Sequence, residues 1–188
     1  MNIYNKISVI FFLVAISVGY SMYEKKKLDD YFSKAEAPIL ESLPSSEFLK
    51  DFRTGEVFDF PVEAKASKGI LVHFWGTWCA PCEYELPHFL KFSEKLGKKD
   101  VRVVLLAVND DNVKIKKFLK RFGNLPSNIS IVHDKKGKTM PMFGVVKVPE
   151  TFVFSPDGDT LTKLVGPQDW DKGYYLSRVF SMLGLSSN

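Results

Sequence analysis

The chain has 188 residues, of which 45% are hydrophobic, enough for one domain with a substantial core. Its net charge of +4 arises from 26 basic and 22 acidic residues that are spread along the sequence. Because the basic residues form no concentrated patch, the composition argues against a nucleic-acid-binding protein.

The first predicted element, residues 1–24, is an N-terminal membrane anchor or a signal sequence. Within it, residues 7–20 ("ISVIFFLVAISVGY") are almost wholly apolar. A run of about 14 such residues suits a signal peptide, whereas extension through Tyr23 gives about 17, the lower limit for crossing a bilayer. No clear A-x-A cleavage pattern is present, which favours an uncleaved anchor. The lysines at 25–27 outnumber Lys6 before the apolar run, and positive flanks usually stay in the cytoplasm, so charge alone argues against an exported domain.

A tether and then a folded domain are predicted to follow this segment. Residues 25–46 carry many charges, two prolines and little apolar periodicity, as is typical of a tether. The folded domain is expected to occupy residues 47–188. At its start, apolar residues at 48–52 and 57–60 flank a turn at Gly55, which predicts a β-hairpin at a sheet edge.

Two continuous apolar runs, residues 70–75 and 101–108, are typical of strands buried on both faces, and they predict a parallel pair. Between them the apolar positions recur with helical spacing, and Gly97 is placed to end that helix. Strand, helix and strand together form a βαβ unit, whose crossover is expected to be right-handed.

The rest of the chain continues the alternation of helices and strands. A helix is predicted over residues 110–123, capped by one of its two leading aspartates, and a short strand over 129–133. Residues 151–154 and 161–165 flank the turn sequence "SPDGD" and predict an antiparallel hairpin. A last helix is expected over residues 169–184. This order predicts an α/β fold: a mixed central sheet with helices on both faces, an N-terminal β-hairpin and a central αβ insertion.

The two cysteines of the chain, Cys79 and Cys82, lie in "WGTWCAPCEYELP", where the first parallel strand turns into its helix. The free N–H groups and the positive dipole of a helix N-terminus stabilise a thiolate, which lowers the pKa of a thiol there from about 8.5. Pro81 in the first turn leaves the helix intact, because its missing N–H had no partner to lose. We therefore expect Cys79 to be exposed and nucleophilic, and Cys82 to lie buried one turn inside.

These residues leave three interpretations of the pair open: a structural disulfide, a metal-handling site and a redox centre. A disulfide across so short a loop stabilises a fold by about 2 kcal/mol or less. A zinc site requires four ligands, but there is no second cysteine pair, and the three histidines lack the H-x₃₋₅-H spacing. The pattern favours a redox-active disulfide that needs no metal and no other cofactor.

Three stretches of the sequence resemble a known family. "FWGTWCAPCEYELPHF", "GVVKVPETFVFSPDG" and "VGPQDW" are similar to the membrane-anchored, thioredoxin-like thiol-disulfide oxidoreductases of bacterial cell envelopes, the TlpA/ResA/DsbE group that serves cytochrome c maturation. The similarity covers about residues 47–184 and implies a thioredoxin-like fold. Two positions depart from the family pattern: Glu83 replaces a frequent Arg or Lys, and Lys147 replaces a common glycine.

The resemblance implies a role for each matching residue of the motif. Cys79 would be the attacking thiol and Cys82 the resolving thiol, and Glu85 would exchange protons with them from one helical turn further on. Pro149 would be a cis-proline facing the pair, which exposes the Val148 backbone to a substrate strand. The alternative for this proline is an ordinary trans residue at the start of a strand.

The resemblance also assigns residues around the substrate. Glu150 matches the glutamate that follows the cis-proline in the cytochrome c maturation group, and Trp75 and Trp78 would serve as packing or substrate-shielding walls. The alternative for Glu150 is a surface residue of an edge strand, and for Glu85 a solvated helix carboxylate. We expect His73 to be a hydrogen-bonded interior residue.

Charge and resemblance together predict the direction of electron flow. Glu83 and Glu85 oppose thiolate formation, and a rise of about one unit in a thiol pKa would lower the potential of the couple by about 30 mV. The helix N-terminus favours the thiolate and therefore acts to raise the potential. The resemblance favours a reductant. The implied partners are a disulfide-bearing protein, such as a C-x-x-C-H apocytochrome c, and a membrane electron donor of the DsbD/CcdA type.

A dedicated reductant is needed in an oxidising compartment, so we expect the domain on the extracytoplasmic, periplasmic side of the inner membrane, held there by the N-terminal segment. Two alternatives stay open. One is an oxidase that introduces disulfides, and the other is a copper-handling or redox-inactive binding module.

Overall fold

The computed structural model describes residues 11–25 and 40–186 of the chain. The chain divides into two compact units, Met1–Ala37 and Pro38–Asn188. In the first unit, residues 11–25 are helical. Across the two described ranges, every helix falls short of the length and apolarity that a membrane crossing requires. The first ten residues of the predicted anchor and most of the predicted tether lie outside the described residues.

The second unit is built on a mixed sheet of five strands with the order β3-β2-β1-β4-β5. Strands β1, β2 and β3 are parallel, whereas β4 and β5 run antiparallel to their neighbours. The predicted parallel pair, the hairpin around "SPDGD" and the thioredoxin-like layout are thereby confirmed. In chain order the elements are α1 (Phe60–Lys65), β1 (Ile70–Trp75), α2 (Ala80–Gly97), β2 (Arg102–Val108), α3 (Asn112–Leu119), β3 (Ile129–Asp134), α4 (Thr139–Met142), β4 (Glu150–Phe154), β5 (Thr160–Val165) and α5 (Gly173–Met182).

Helices cover both faces of the sheet and give the domain two apolar clusters. Alternate side chains of a strand point to opposite faces. Leu71 and Trp75 of β1 join residues of α2, α3 and α5 in one cluster, whereas Phe74 joins residues of α1 and α4 in the other. All six residues of β1 are buried. This two-sided burial is the reason that the strand reads as a continuous apolar run.

The N-terminal hairpin is present only as a tight turn. One bridge joins Lys50 and Val57, and within residues 40–186 no second bridge between the two segments extends it into two strands. Asp51 fixes the turn, because its carboxylate accepts hydrogen bonds from the backbone N–H groups of Arg53 and Thr54. The chain then enters α1, with a proline in its first turn, at the point where the sequence predicted the end of a strand. Before the turn, in the predicted tether, Leu43 is already buried and its N–H donates to the carbonyl of Gly158.

The helix boundaries differ from the predicted ones for identifiable reasons. α3 begins after Asp111, whose carboxylate caps the N–H groups of Val113 and Lys114. A 3₁₀ turn, Lys120–Phe122, carries the chain from α3 to Gly123. α5 begins at Gly173 rather than near Asp169, because the preceding segment is held in an irregular conformation by hydrogen bonds to α2.

Candidate active site

Cys79 and Cys82 form a disulfide at the N-terminus of α2. Cys79 is the N-cap residue, and its sulfur accepts a hydrogen bond of 3.2 Å from the backbone N–H of Cys82. Cys79 is 5% exposed and Cys82 is 1% exposed. The expectation of an openly exposed Cys79 is therefore wrong for the disulfide form, because neighbouring segments pack around its sulfur. The helix N-terminus nevertheless directs free N–H groups at that sulfur, which favours its thiolate after reduction.

The loop between β1 and α2 is held in place by Asp110, which follows β2. Its carboxylate accepts hydrogen bonds of 2.5 Å from the Thr77 backbone N–H and 2.9 Å from the Thr77 hydroxyl. Trp78 is fixed beside it, because its indole N–H donates to the carbonyl of Val108 at 3.2 Å. The Trp78 side chain still has an exposed fraction of 55% and presents an apolar surface next to Cys79. Sequence reasoning missed this role of Asp110, which it considered only as a helix cap.

The loop before β4 brings the predicted proline to the disulfide. The Val148–Pro149 peptide bond is cis, as the resemblance implied. The Val148 carbonyl oxygen lies 3.8 Å from the Cys79 sulfur. A partner segment that reaches this sulfur therefore also meets the main chain of Val148.

Glu150 is buried behind this loop and does not lie on the surface. β4 runs between β1 and β5, so the edge-strand alternative is wrong. Glu150 is 1% exposed and forms an ion pair of 2.9 Å with Lys163, whose ammonium also donates to the Gly144 carbonyl at 2.8 Å. In the disulfide form Glu150 thus has its carboxylate turned to a lysine that ties down the proline loop, rather than to a substrate.

Glu85 lies on α2 one turn after Cys82 and is also buried, with 2% of its surface exposed. One carboxylate oxygen, Oε2, accepts hydrogen bonds of 2.8 Å from the Gln168 backbone N–H and 2.8 Å from the Trp170 indole N–H. Burial raises the pKa of Glu85, and the two hydrogen bonds act in the opposite direction. The solvated-carboxylate alternative is therefore wrong. Gln168 and Trp170 lie in the quoted stretch "VGPQDW", but sequence reasoning gave neither of them a role.

His73 lies at the centre of β1 and has no exposed surface. Its Nδ1 is 2.8 Å from the Thr151 hydroxyl, which confirms the expected hydrogen-bonded interior histidine. Its Nε2 lies 3.7 Å from Oε1 of Glu85, and its ring stacks on Phe89 with centroids 4.2 Å apart. Burial lowers the pKa of His73 to about 3, so the ring is neutral at physiological pH.

The negative charge of Glu83 is compensated by a neighbouring arginine. Glu83 forms an ion pair of 2.7 Å with Arg121, and both side chains are largely exposed. Because the guanidinium offsets the carboxylate and solvent screens both, Glu83 has little effect on the thiols. Glu85 remains as the acidic group that bears on the cysteine pair.

Comparison with known proteins places these features in a wider group. Residues 41–160, which include both cysteines and Pro149, match the AhpC/TSA family. The thiol-disulfide oxidoreductase ResA of Bacillus cereus is 28% identical over 162 residues, which cover 85% of this chain and 86% of that protein. ResA of Geobacillus thermodenitrificans is 27% identical over 161 residues, which cover 85% of each protein.

Among solved structures, a protein from Chlorobium tepidum that is described as a thiol:disulfide interchange protein DsbE shares the fold. Its TM-score is 0.64 at 25% identity, and the alignment covers 78% of this chain and 99% of that one. The two proteins thus share the thioredoxin-like fold.

Proposed function

This chain belongs to the AhpC/TSA family and is a thiol-disulfide oxidoreductase, and from that premise we propose that it reduces disulfides of partner proteins during cytochrome c maturation. The observation that carries the proposal is the Cys79–Cys82 disulfide, capped on a helix N-terminus and facing the cis-proline loop. That arrangement supplies both an activated thiol and a main-chain contact for an extended partner.

The reaction is two successive thiol-disulfide exchanges. The Cys79 thiolate attacks one sulfur of the partner disulfide, forms a mixed disulfide and expels the other partner sulfur as a thiolate. The Cys82 thiolate then attacks the Cys79 sulfur, restores the disulfide of the chain and expels the second partner thiolate. Two electrons pass to the partner, and the protons that Cys79 and Cys82 lose end on its two thiols.

Glu85 is proposed to accept the proton that Cys82 must lose before the second exchange. Cys82 is the more deeply buried of the two cysteines, so bulk water reaches it poorly. A carboxylate one helical turn away, with its pKa raised by burial, is suited to take up and release a proton.

The proposed partners and location follow from the need for such a reductant. An oxidising compartment keeps protein thiols in disulfides, and the C-x-x-C-H thiols of an apocytochrome c must be reduced before haem is attached. We place the domain on the extracytoplasmic side of the inner membrane, tethered by the N-terminal segment. A membrane electron donor of the DsbD/CcdA type would return two electrons to the Cys79–Cys82 disulfide after each cycle.

Measuring the reduction potential of the full-length protein tests the direction of electron flow. We expect a value closer to that of thioredoxin, about −270 mV, than to that of DsbA, about −120 mV. The reduced protein is also expected to reduce the disulfide of a C-x-x-C-H peptide. A potential near −120 mV with oxidation of dithiol peptides would instead identify an oxidase. A stoichiometric Cu(I) complex without reductase activity would identify a copper-handling module.

Replacing Glu85 with glutamine is expected to slow the second exchange by about 100-fold at neutral pH, in line with the loss of a general base. The wild-type rate should rise as the pH increases through the raised pKa of Glu85, because the carboxylate is the base, and Glu85→Gln should lack that rise. Stopped-flow measurement of mixed-disulfide decay provides both results. Glu94→Gln, an exposed position on the same helix, serves as the control. If the rate of Glu85→Gln rises with pH as the wild-type rate does, the proposed role of Glu85 is contradicted.

A further inference from the structure

Two buried polar atoms, one on β1 and one on α2, face each other without a hydrogen-bond partner among the described residues. They are Nε2 of His73 and Oε1 of Glu85, 3.7 Å apart. The remaining polar atoms of both side chains are satisfied, Nδ1 by Thr151 and Oε2 by Gln168 and Trp170. Because buried polar atoms are nearly always paired, the two free positions require an explanation.

The contact between them is not an ion pair. A separation of 3.7 Å exceeds the range of about 2.7–3.2 Å that is usual for a hydrogen bond, and a fully buried imidazole strongly disfavours the charged form. A neutral imidazole has one donor nitrogen and one acceptor nitrogen, and the proton can lie on either. What His73 offers to Glu85 therefore depends on its tautomer.

Each tautomer of His73 matches one protonation state of Glu85. With the proton on Nε2, the ring presents a donor to the carboxylate, and Nδ1 accepts from the Thr151 hydroxyl. With the proton on Nδ1, the ring donates to the Thr151 oxygen, and Nε2 presents an acceptor to the carboxylic acid. Thr151 permits both arrangements, because a hydroxyl both donates and accepts.

We propose that His73 is a positioning residue that complements Glu85 in both protonation states by moving its proton from one ring nitrogen to the other. The inference rests on the proposed function in one respect, namely that Glu85 takes up and releases a proton during turnover. When Cys82 gives its proton to Glu85, the products are a thiolate and a carboxylic acid, and the imidazole remains neutral with a single proton. The later loss of the proton from Glu85 restores the first tautomer.

The surroundings of the pair support a role for the ring beyond filling space. Phe89 stacks on the imidazole and fixes its plane, so that both nitrogens keep their directions along the line from Thr151 to Glu85. The ring is fully buried, so neither nitrogen reaches solvent. A change of tautomer therefore lets His73 match the protonation state of Glu85 while the ring keeps its position.

The other groups that face Glu85 come from three elements. Gln168 and Trp170, from the segment before α5, present N–H donors, and Cys82 precedes Glu85 on α2. Tyr175 of α5 acts indirectly: its hydroxyl donates to the side-chain oxygen of Gln168 at 2.6 Å, and its ring centroid lies 5.3 Å from that of Trp170. The charged pair Glu150–Lys163 lies on the opposite face of the sheet, because Glu150 is paired with Phe74 whereas His73 is paired with Thr151.

Nitrogen NMR of the full-length protein, labelled with ¹⁵N in its histidine rings, tests the proposal directly. The chemical shifts of the two ring nitrogens identify which one carries the proton. On titration, we expect the His73 proton to move from Nε2 to Nδ1 as the pH falls, with the same midpoint as the Glu85 carboxyl carbon. A single His73 tautomer on both sides of the Glu85 titration overturns the proposal.

Two variants extend the test. In Glu85→Gln the His73 tautomer is expected to be independent of pH. In His73→Phe, which retains an aromatic ring against Phe89, the midpoint of Glu85 should rise by about one pH unit, because the N–H dipole that faces the charged carboxylate is lost. An unshifted midpoint in a folded His73→Phe protein also overturns the proposal. The NMR result does not depend on reductase activity. A failure of this inference can therefore be distinguished from a failure of the proposed function.

Discussion

Replacing Cys82 with serine is expected to arrest the protein as a mixed disulfide between Cys79 and its partner. Cys79 retains its position at the helix N-terminus and still attacks, but no second thiol is left to release the adduct. Multiple-turnover reductase activity should fall by roughly a thousandfold or more, as is usual when a nucleophile is removed. Non-reducing electrophoresis and mass spectrometry of complexes isolated from cells would reveal the adduct and identify the partner.

Cys79→Ser is the matched control for this experiment. It removes the attacking sulfur, so both activity and adduct should be lost. An adduct that forms through Cys82 in that variant would reverse the assigned roles. Partners that contain a C-x-x-C-H sequence would support the proposed place in cytochrome c maturation, and a set of partners without one would contradict it.

Truncating Phe143 to alanine is expected to lower the free energy of unfolding by about 3–5 kcal/mol. Phe143 is 1% exposed, and four aromatic rings lie with their centroids 5.0–6.1 Å from its own, those of Phe60, Phe74, Phe152 and Phe154. Removing the ring leaves a cavity between α1 and the sheet that these rigid neighbours fill poorly. A loss of this size is a large part of the 5–15 kcal/mol that is typical of a folded domain.

Urea denaturation monitored by circular dichroism measures this change, and Tyr84→Ala is the control. The Tyr84 side chain is 81% exposed, so its truncation should alter the free energy of unfolding by less than about 0.5 kcal/mol. A loss below about 1 kcal/mol in Phe143→Ala would contradict the packing described for this cluster.

The central part of the fold could be predicted because its signals are local. Strands β1 and β2 are buried on both faces, so their apolar runs are continuous, and the two cysteines mark the turn from β1 into α2. The boundaries that were wrong depend on tertiary contacts. The start of α5 is delayed because Gln168 and Trp170 bind Glu85, which is more than 80 positions away in the sequence.

The candidate site likewise combines residues that local sequence signals identify with residues whose roles depend on tertiary contacts. The motif and the resemblance identified Cys79, Cys82 and the cis-proline, because their chemistry requires those residue types at that spacing. The burial of Glu85, the ion pair that compensates Glu83 and the support that Asp110 gives to Thr77 follow from residues that are distant in the sequence. No periodicity or composition signal connects such pairs, so only the folded structure reveals them.

The near-complete enclosure of the Cys79 sulfur has a consequence for the shape of its clients. Because Cys79 is 5% exposed and its sulfur lies 3.8 Å from the Val148 carbonyl oxygen, a disulfide that reacts with it in the proposed reaction has to come close to the Val148 main chain. An unstructured segment of a client can lie along the Val148 main chain and present its disulfide to the Cys79 sulfur. We therefore expect disulfides in unfolded client segments to be reduced faster than disulfides in the interior of a folded protein.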